Sequence, residues 1–356
     1  MEWWARLKRN GLAKFGAIVL LLLYLLAFGA EFTAPYDPYM SQPDGALLPP
    51  TKIYWVDQTT KQWIGPHVYP TTQGAIDINT GKRNLQVDFS QPSPIQLFAT
   101  APDEKGQPHR HLIGTAGDPQ TKAKFNLLGT DDQARDQLSR LIHGGRISLT
   151  IGLLGIAIMF PLGLLVGGIS GYFGGWIDSA LMRLVEVLMT IPSIYLLISL
   201  AAVLPAGLTS TQRFALVVLI TSAIGWAGLA RVIRGQVLSI KEREYVQAAK
   251  VMGGKPLYII LRHILPQTVT YVIISATLSI PSFIISESVL SLIGLGIQQP
   301  DPSWGNMLSL ATNASILVLQ PWLIWAPAVL IVLTVLCFNL LGDGLRDALD
   351  PRNLDR

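Results

Sequence analysis

The chain has 356 residues, 50% of them hydrophobic and 14% charged, with a formal net charge of +4. That balance excludes an ordinary soluble domain, and several apolar runs reach the ~20 residues that span a bilayer. The basic residues sit at the ends of those runs, so the charge does not point to nucleic acid. The single cysteine, Cys337, lies in the last run, which excludes an intrachain disulfide and argues against redox or thiolate-metal chemistry.

Taken in order, Arg6, Lys8, Arg9 and Lys14 precede an apolar run over 15–32. Two readings fit: a signal peptide cleaved near Ala27-Phe28-Gly29, or an uncleaved first span, which the membrane targeting of the rest favours. In either case the basic flank faces the cytoplasm. Residues 33–146 turn to Pro, Gly, Asp, Gln and Thr. Short alternating pieces such as Ile76-Asp77-Ile78 and Leu85 to Phe89 predict a β-rich extracytoplasmic insert. His109 and His111 have no third ligand at metal spacing and read as a solvated loop. Over 127–149, Leu138, Leu141, Ile142 and Ile147 share a helical face, with Arg135, Arg140 and Arg146 interleaved. That pattern predicts a helix on the membrane surface with snorkelling arginines. Asp131, Asp132 and Asp136 read as caps and ion-pair partners of that helix, not as catalytic carboxylates.

Further spans are predicted over 147–172, 181–204, 214–229, 269–293 and 321–341. The second is rich in glycine and should pack closely against neighbours. The third carries Arg183 and Glu186, three apart and self-neutralising, and Pro192 inside it. Arg213 lies in the short outer loop before the fourth span, and Arg231 and Arg234 mark that span's inner end. The fifth contains Pro281 and Glu287. An intramembrane acid invites a functional reading, and two readings of Glu287 stand side by side. Either it lines a path or bonds across a subunit interface, or it sits near the outer interface held by Ser286 and Ser288. In the 297–320 loop, Trp304 reads as an interfacial anchor.

Between the fourth and fifth spans lies EYVQAAKVMGGKPLYIILRHILP, Glu244 to Pro266. Tyr245, Ala248, Ala249 and Met252 recur on one face of a short helix. Gly253 and Gly254 break it, Pro256 opens a second helix, and Leu265-Pro266 closes the unit before the next span. Periodicity alone leaves this either an ordinary cytoplasmic loop or a docking knob.

Four stretches resemble the permease subunits of binding-protein-dependent ABC importers of the dipeptide, oligopeptide and nickel class. The loop matches the signature Glu-Ala-Ala, three residues, Gly, then Leu-Pro, with Gln247 in place of Glu, then Ala248, Ala249, Gly253, Leu265 and Pro266. His263 replaces the usual Ile. Leu128 to Asp131, Arg135, Asp136, Ser139 to Ile142, Gly144 and Arg146 match the segment before the second span, Ala134 replacing a glycine. Gly342 to Asp347 and Asp350-Pro351-Arg352 match the tail, and Glu287 stands seven before Gly294-Leu295-Gly296 as the family's acid does. The 42–125 insert is longer than the resemblance leads one to expect.

The resemblance implies an all-α integral membrane fold of six transmembrane helices, like type I ABC importer permeases, in the bacterial cytoplasmic (inner) membrane, with both termini cytoplasmic. Its parts would be 1–32 (N-terminus and first helix), 33–146 (insert), 147–342 (permease core, including a coupling loop over 241–266) and 343–356 (tail). ATPase coupling would fall to Glu244, Tyr245, Gln247, Ala248, Ala249, Gly253, Gly254, Leu265 and Pro266, and the path or subunit interface to Glu287, Ser286 and Ser288. Partners would be a second homologous permease, two ABC ATPase subunits, an extracytoplasmic binding protein and membrane lipids. ATP and Mg would sit on the ATPases, with no cofactor or metal on this chain. The rival reading is an ion or solute channel, or a secondary transporter working without ATPases. It expects repeats and midplane ion groups that the sequence does not show. Gly253 to Pro256 is no phosphate loop, since Ala249 is not the leading glycine and Pro256 is not Ser or Thr. No Gly-x-Ser-x-Gly elbow, no His-Glu-x-x-His and no mid-span histidine appears, so the chain reads as a non-catalytic transport subunit.

Overall fold

The computed structural model describes residues 2–76, 83–103, 106–115, 123–205 and 207–349. Asp77-Ile78 and Asp350-Pro351-Arg352 lie outside the described residues. In chain order the elements begin with α1 (Glu2–Arg9), α2 (Gly11–Phe28) and α3 (Ala30–Thr33). Eight short strands follow: β1 (Tyr54–Val56), β2 (Trp63–Val68), β3 (Thr71–Ile76), β4 (Arg83–Val87), β5 (Ser93–Leu97), β6 (Thr100–Pro102), β7 (Pro108–Arg110) and β8 (Ile113–Thr115). Then come α4 (Gln137–Phe173), α5 (Gly175–Thr190), α6 (Ser193–Ala202), α7 (Ser210–Ile240), α8 (Glu244–Val251), α9 (Pro256–Ile259), α10 (Val269–Leu292), α11 (Trp304–Leu308), α12 (Ala314–Leu319) and α13 (Trp322–Leu349). The chain is mostly helical. Five helical stretches are long and apolar enough to cross a membrane, and a sixth is added if α5 and α6 form one broken span.

That break corrects the continuous third span expected from the sequence. Ile191 takes an extended conformation before Pro192, as a residue preceding proline prefers, and α5 and α6 meet at 83°. The fourth span is also longer than expected. Arg213, expected in a loop, is buried in the first turns of α7, and Arg231 and Arg234 are within the same helix.

The chain forms two units. One comprises Met1–Leu20, Thr150–Leu290 and Leu333–Arg356. Here the glycines of α4 do what the sequence predicted. Gly152 lies against Ile280, Gly155 against Phe283, Gly163 against Leu229 and Gly171 against Val237. A Cβ on Gly167 would stand 2.5 Å from the Ala230 carbonyl oxygen. Such overpacking costs about 1–3 kcal/mol, so small residues set this helix spacing. Asp178 of α5 grips Arg234 of α7 through two hydrogen bonds and also receives the Ser170 hydroxyl. Arg183 and Glu186 pair at 3.2 Å, both exposed.

The other unit comprises Leu21–Leu149 and Ser291–Val332. Its strands form a four-stranded sheet in the order β1-β2-β5-β8, antiparallel at each pairing, and the hairpins β3-β4 and β6-β7. His111, expected in a solvated loop, is buried, with its Nδ1 2.7 Å from the Ala34 carbonyl oxygen. The expected surface helix is instead the start of α4, and two of its arginines, Arg135 and Arg140, are buried rather than snorkelling. Arg140 is 1% exposed. Its guanidinium meets Asp131 at 3.3 Å and donates to the carbonyls of Pro38 (3.2 Å) and Pro300 (3.0 Å) and to Gln299 (2.9 Å). Arg135 meets the same Asp131 oxygen at 2.7 Å. One carboxylate thus holds two buried cations, and the Pro38 and Pro300 carbonyls and the Gln299 side chain accept from Arg140 besides.

Asp136 caps α4, accepting from the Ser139 amide at 2.7 Å and the Ser139 hydroxyl at 2.6 Å. Complete burial pushes its carboxyl up to about 6 against the lowering effect of those two bonds and of Lys124. Ala134, in the place of a glycine, keeps the turn by adopting φ +62°. Trp304 is no interfacial anchor. It is buried, donating through Nε1 to the Leu141 carbonyl at 2.9 Å while its amide donates to the Ser148 hydroxyl at 3.0 Å.

Candidate functional site

The 244–266 loop is built as a helix, a glycine cap and a second helical path. Glu244 opens α8 and Lys250 closes it, each charge complementing the helix dipole at its end. Gln247 donates through its side-chain amide to the Lys241 carbonyl at 2.9 Å and to Glu242 at 3.4 Å. A glutamate at this position has no proton to give either acceptor. At the other end, the Gly254 amide donates to the Ala249 carbonyl and the Gly253 amide to the Lys250 carbonyl, both at 3.0 Å. With Gly253 at φ +82°, this is a Schellman cap.

Pro256 starts α9 as its missing N–H allows, but Leu265-Pro266 does not close the unit. A π-helical turn over Ile260–Ile264 and a 3-10 turn over Leu265–Thr268 carry the chain directly into α10, so Pro256–Leu292 is one helical path. Pro266 has no amide for an α-helical bond. The wider turn before it absorbs that loss, with the Leu265 amide donating to the Ile260 carbonyl. His263 stacks edge-on with Tyr258 at 5.4 Å.

The face expected to hold Tyr245, Ala248, Ala249 and Met252 together is divided. Val246 and Ala249 are buried with Ile233, Val237, Ile259 and Ile264 in one apolar cluster. Tyr245 and Ala248 are exposed, as are Val251 (87%) and Met252 (81%). Leu257, Tyr258 and Leu261 extend the exposed apolar surface. Pro266 is exposed and Leu265 packs partly on the cluster. A Cβ on Gly253 would meet nothing within 4 Å, whereas one on Gly254 would stand 2.8 Å from the Ala249 carbonyl oxygen. The knob therefore has a packed back and an open apolar front.

The three residues singled out on α10 separate. Glu287 is fully buried, and Ser288 is buried beside it. Ser286 instead lines a cavity of about 290 Å³ with Ser193 of α6, Thr221 of α7, Met159 of α4, and Ser282 and Phe283 of α10. Sequence reasoning passed over these other hydroxyls. Part of the signal was visible on α10, where Ser275, Ser279, Ser282 and Ser286 recur at four-, three- and four-residue spacing on one face. The contributions of α6 and α7 come only with the fold. Among the described residues no group of three or more His, Cys, Asp or Glu is placed to hold a metal ion.

Comparison with known proteins adds the following. Residues 160–355, more than half of the chain, match the family described as binding-protein-dependent transport system inner membrane component. Residues 1–50 match the N-terminal TM domain of oligopeptide transport permease C. A dipeptide transport system permease protein of Bacillus subtilis is 33% identical over 349 residues, covering 98% of this chain and 84% of that protein. An oligopeptide transport system permease protein of Haemophilus influenzae is 43% identical over 233 residues, 65% of this chain and 72% of that protein. Among solved structures, an inward-facing methionine ABC transporter covers 59% of this chain and 96% of its own, at 20% identity and a TM-score of 0.44. The chain therefore belongs to the binding-protein-dependent transport family, as a multi-pass inner-membrane permease subunit of an ABC importer that has no catalytic role of its own and works with ATPase and substrate-binding partners.

Proposed function

We propose that this chain imports di- or oligopeptides, paired with a second homologous permease, two ABC ATPase subunits and an extracytoplasmic binding protein. The substrate class follows the names of the relatives. In this reading α5 and α6 together form the third of six spans, with both termini in the cytoplasm and the 33–146 segment outside. Conserving that sidedness, the short basic stretches around Lys8, Arg234, Lys241, Lys250 and Arg262 fall on the inside.

The observation that carries the coupling assignment is the 244–266 knob. Its back is fixed in the core while Tyr245, Ala248, Val251 and Met252 stand open to a partner. Burying such a face favours docking by about 25 cal/mol per Å² of apolar surface, a gain set against the cost of association. ATP and Mg stay on the ATPases. Their closure moves the knob, the attached spans switch the path from inward- to outward-facing, and hydrolysis resets it. Only a partner whose affinity differs between the two states can drive that exchange.

The test is affinity capture of this chain in mild detergent. Recovery of a sister permease and ATPases, with the ATPases lost on replacing Gly253, supports the reading. Recovery of this chain alone, carrying flux in liposomes without ATP, would establish the channel or secondary-carrier alternative instead.

A further inference from the structure

We propose that the cavity at the α5–α6 break is a charge-free stretch of the substrate path whose hydroxyls recognise a peptide by its main-chain N–H groups and not by its side chains. The inference rests on the reading of this chain as a peptide permease and narrows it to named residues.

The break comes first. An 83° interruption at Ile191-Pro192, within a pair of helices otherwise apolar enough to span, opens backbone groups that hydrocarbon cannot satisfy. Such backbone is tolerated at membrane depth only where protein covers it or where it borders a water-filled space. The first turn of α6 borders an open space, since Ser193 lines the cavity.

The wall comes next. Among the described residues, no side chain lining the cavity is ionisable, so they offer neither counter-charge nor repulsion to a substrate side chain. Its polar atoms are hydroxyls, and two of them have their protons engaged. Thr221 donates to the carbonyls of Val217 at 2.8 Å and Val218 at 3.0 Å, and Ser282 donates to the Ser279 carbonyl at 2.6 Å. What those hydroxyls present to the cavity is lone pairs. A hydroxyl has one proton and two acceptor sites, so a hydroxyl bonded back to its own helix is an acceptor to everything else. Among the groups a peptide offers whatever its sequence, the amide N–H groups and the α-ammonium are donors. An acceptor wall without charge suits them and leaves side chains unread. The volume, about 290 Å³, is at the lower end of the ~300–1,000 Å³ typical of ligand sites and fits a short stretch of chain rather than a whole folded ligand.

The native background favours a direct test, because the one cysteine of this chain, Cys337, is buried. Ser282→Cys and Ser286→Cys are made in the full transporter in nanodiscs, and labelling of this chain by a charged methanethiosulfonate is followed by mass. Both variants are expected to label, and trialanine is expected to slow labelling at least fivefold. Ala-Lys-Ala and Ala-Glu-Ala should protect to the same extent, and a backbone N-methylated trialanine should not protect. Ser288→Cys, next to the cavity but buried, is expected to stay unlabelled. Equal labelling at 286 and 288, labelling unaffected by trialanine, or protection differing tenfold between the lysine and glutamate peptides would each overturn the proposal. Uptake by the wild-type transporter with its binding protein and ATP is measured in parallel. Normal trialanine uptake alongside any of those results removes only this inference, whereas no peptide uptake at all removes the peptide-permease reading and this inference with it.

Discussion

Replacing Gly253 separates the folding of the knob from its docking. Gly253 sits at φ +82°, and a Cβ there would meet nothing within 4 Å, so substitution costs only what the left-handed backbone costs. That is about 1–2 kcal/mol for an ordinary L-residue, less for Asn, whose short polar side chain tolerates the region, and more for a β-branched residue. Gly253→Asn should therefore keep the cap, with the Gly254 amide still bonded to Ala249, while Gly253→Val should loosen it. If a partner's surface occupies the open space over Gly253, even the tolerated Asn side chain obstructs it. The expected result for Asn is near-native hydrogen exchange of the 253 and 254 amides together with at least tenfold weaker ATPase capture, equivalent to about 1.4 kcal/mol. Val should show both faster exchange and weaker capture. Native capture by the Asn variant would refute the docking argument, and rapid exchange at 253 and 254 in that variant would refute the conformational one.

Three further predictions concern the unit that holds Asp131 and Asp136. Asp136 is raised from 3.8 to about 6, so the folded chain keeps a proton that the unfolded chain has lost. Its stabilisation is complete below pH 4, is lost as pH rises through 6, and amounts to about 3 kcal/mol. Exchange at the Tyr36, Phe125 and Ser139 amides, corrected for intrinsic rates, should slow from pH 7 to pH 5. Persistence of that dependence in Asp136→Asn would contradict the assignment. Ala134→Gly should stabilise by about 1 kcal/mol, because glycine takes φ +62° without the Cβ penalty; an unchanged melting temperature would show that the turn relaxes at no cost. Asp131→Ala leaves the Arg135 and Arg140 guanidiniums buried without their carboxylate and should cost about 3–5 kcal/mol, read as lost thermal stability in detergent, whereas a native-like melt would mean water replaces the ion pair.

What the sequence could reveal depended on how far away the deciding partner lay. The apolar runs and the glycines of α4 were readable because a helix sets its own periodicity and small residues announce a close neighbour. The cap at Gly253 was readable for the same local reason. Arg135 and Arg140 among leucines were misread because an amphipathic pattern is identical whether its basic side chains reach water or buried acceptors. The acceptors for Arg140 come from Pro38 and Pro300, about a hundred residues upstream and more than that downstream. Trp304 was misread likewise, since the Leu141 carbonyl that receives its indole proton is equally remote. Pro192 and Pro281 illustrate the limit most simply. Both were noticed inside spans, yet one breaks its span by 83° and the other stays within α10.

Glu287 drew attention over the serines beside it because an acid in a span carries the larger desolvation cost, and the same cost explains why it is not the residue facing the cavity. A carboxylate must be enclosed by compensating groups, which draws it into the packed side of the helix. A serine that returns its proton to its own helix keeps little unsatisfied polarity and can face an open space at small cost. The serine face and the apolar knob belong to one helical path, Pro256–Leu292, in which the irregular stretch is the π and 3-10 turn over 260–268. A displacement of the knob meets that stretch first, and Pro281 within α10 after it, before it reaches Ser282. The packing of Ile260 and Ile264, both buried, decides how much passes through.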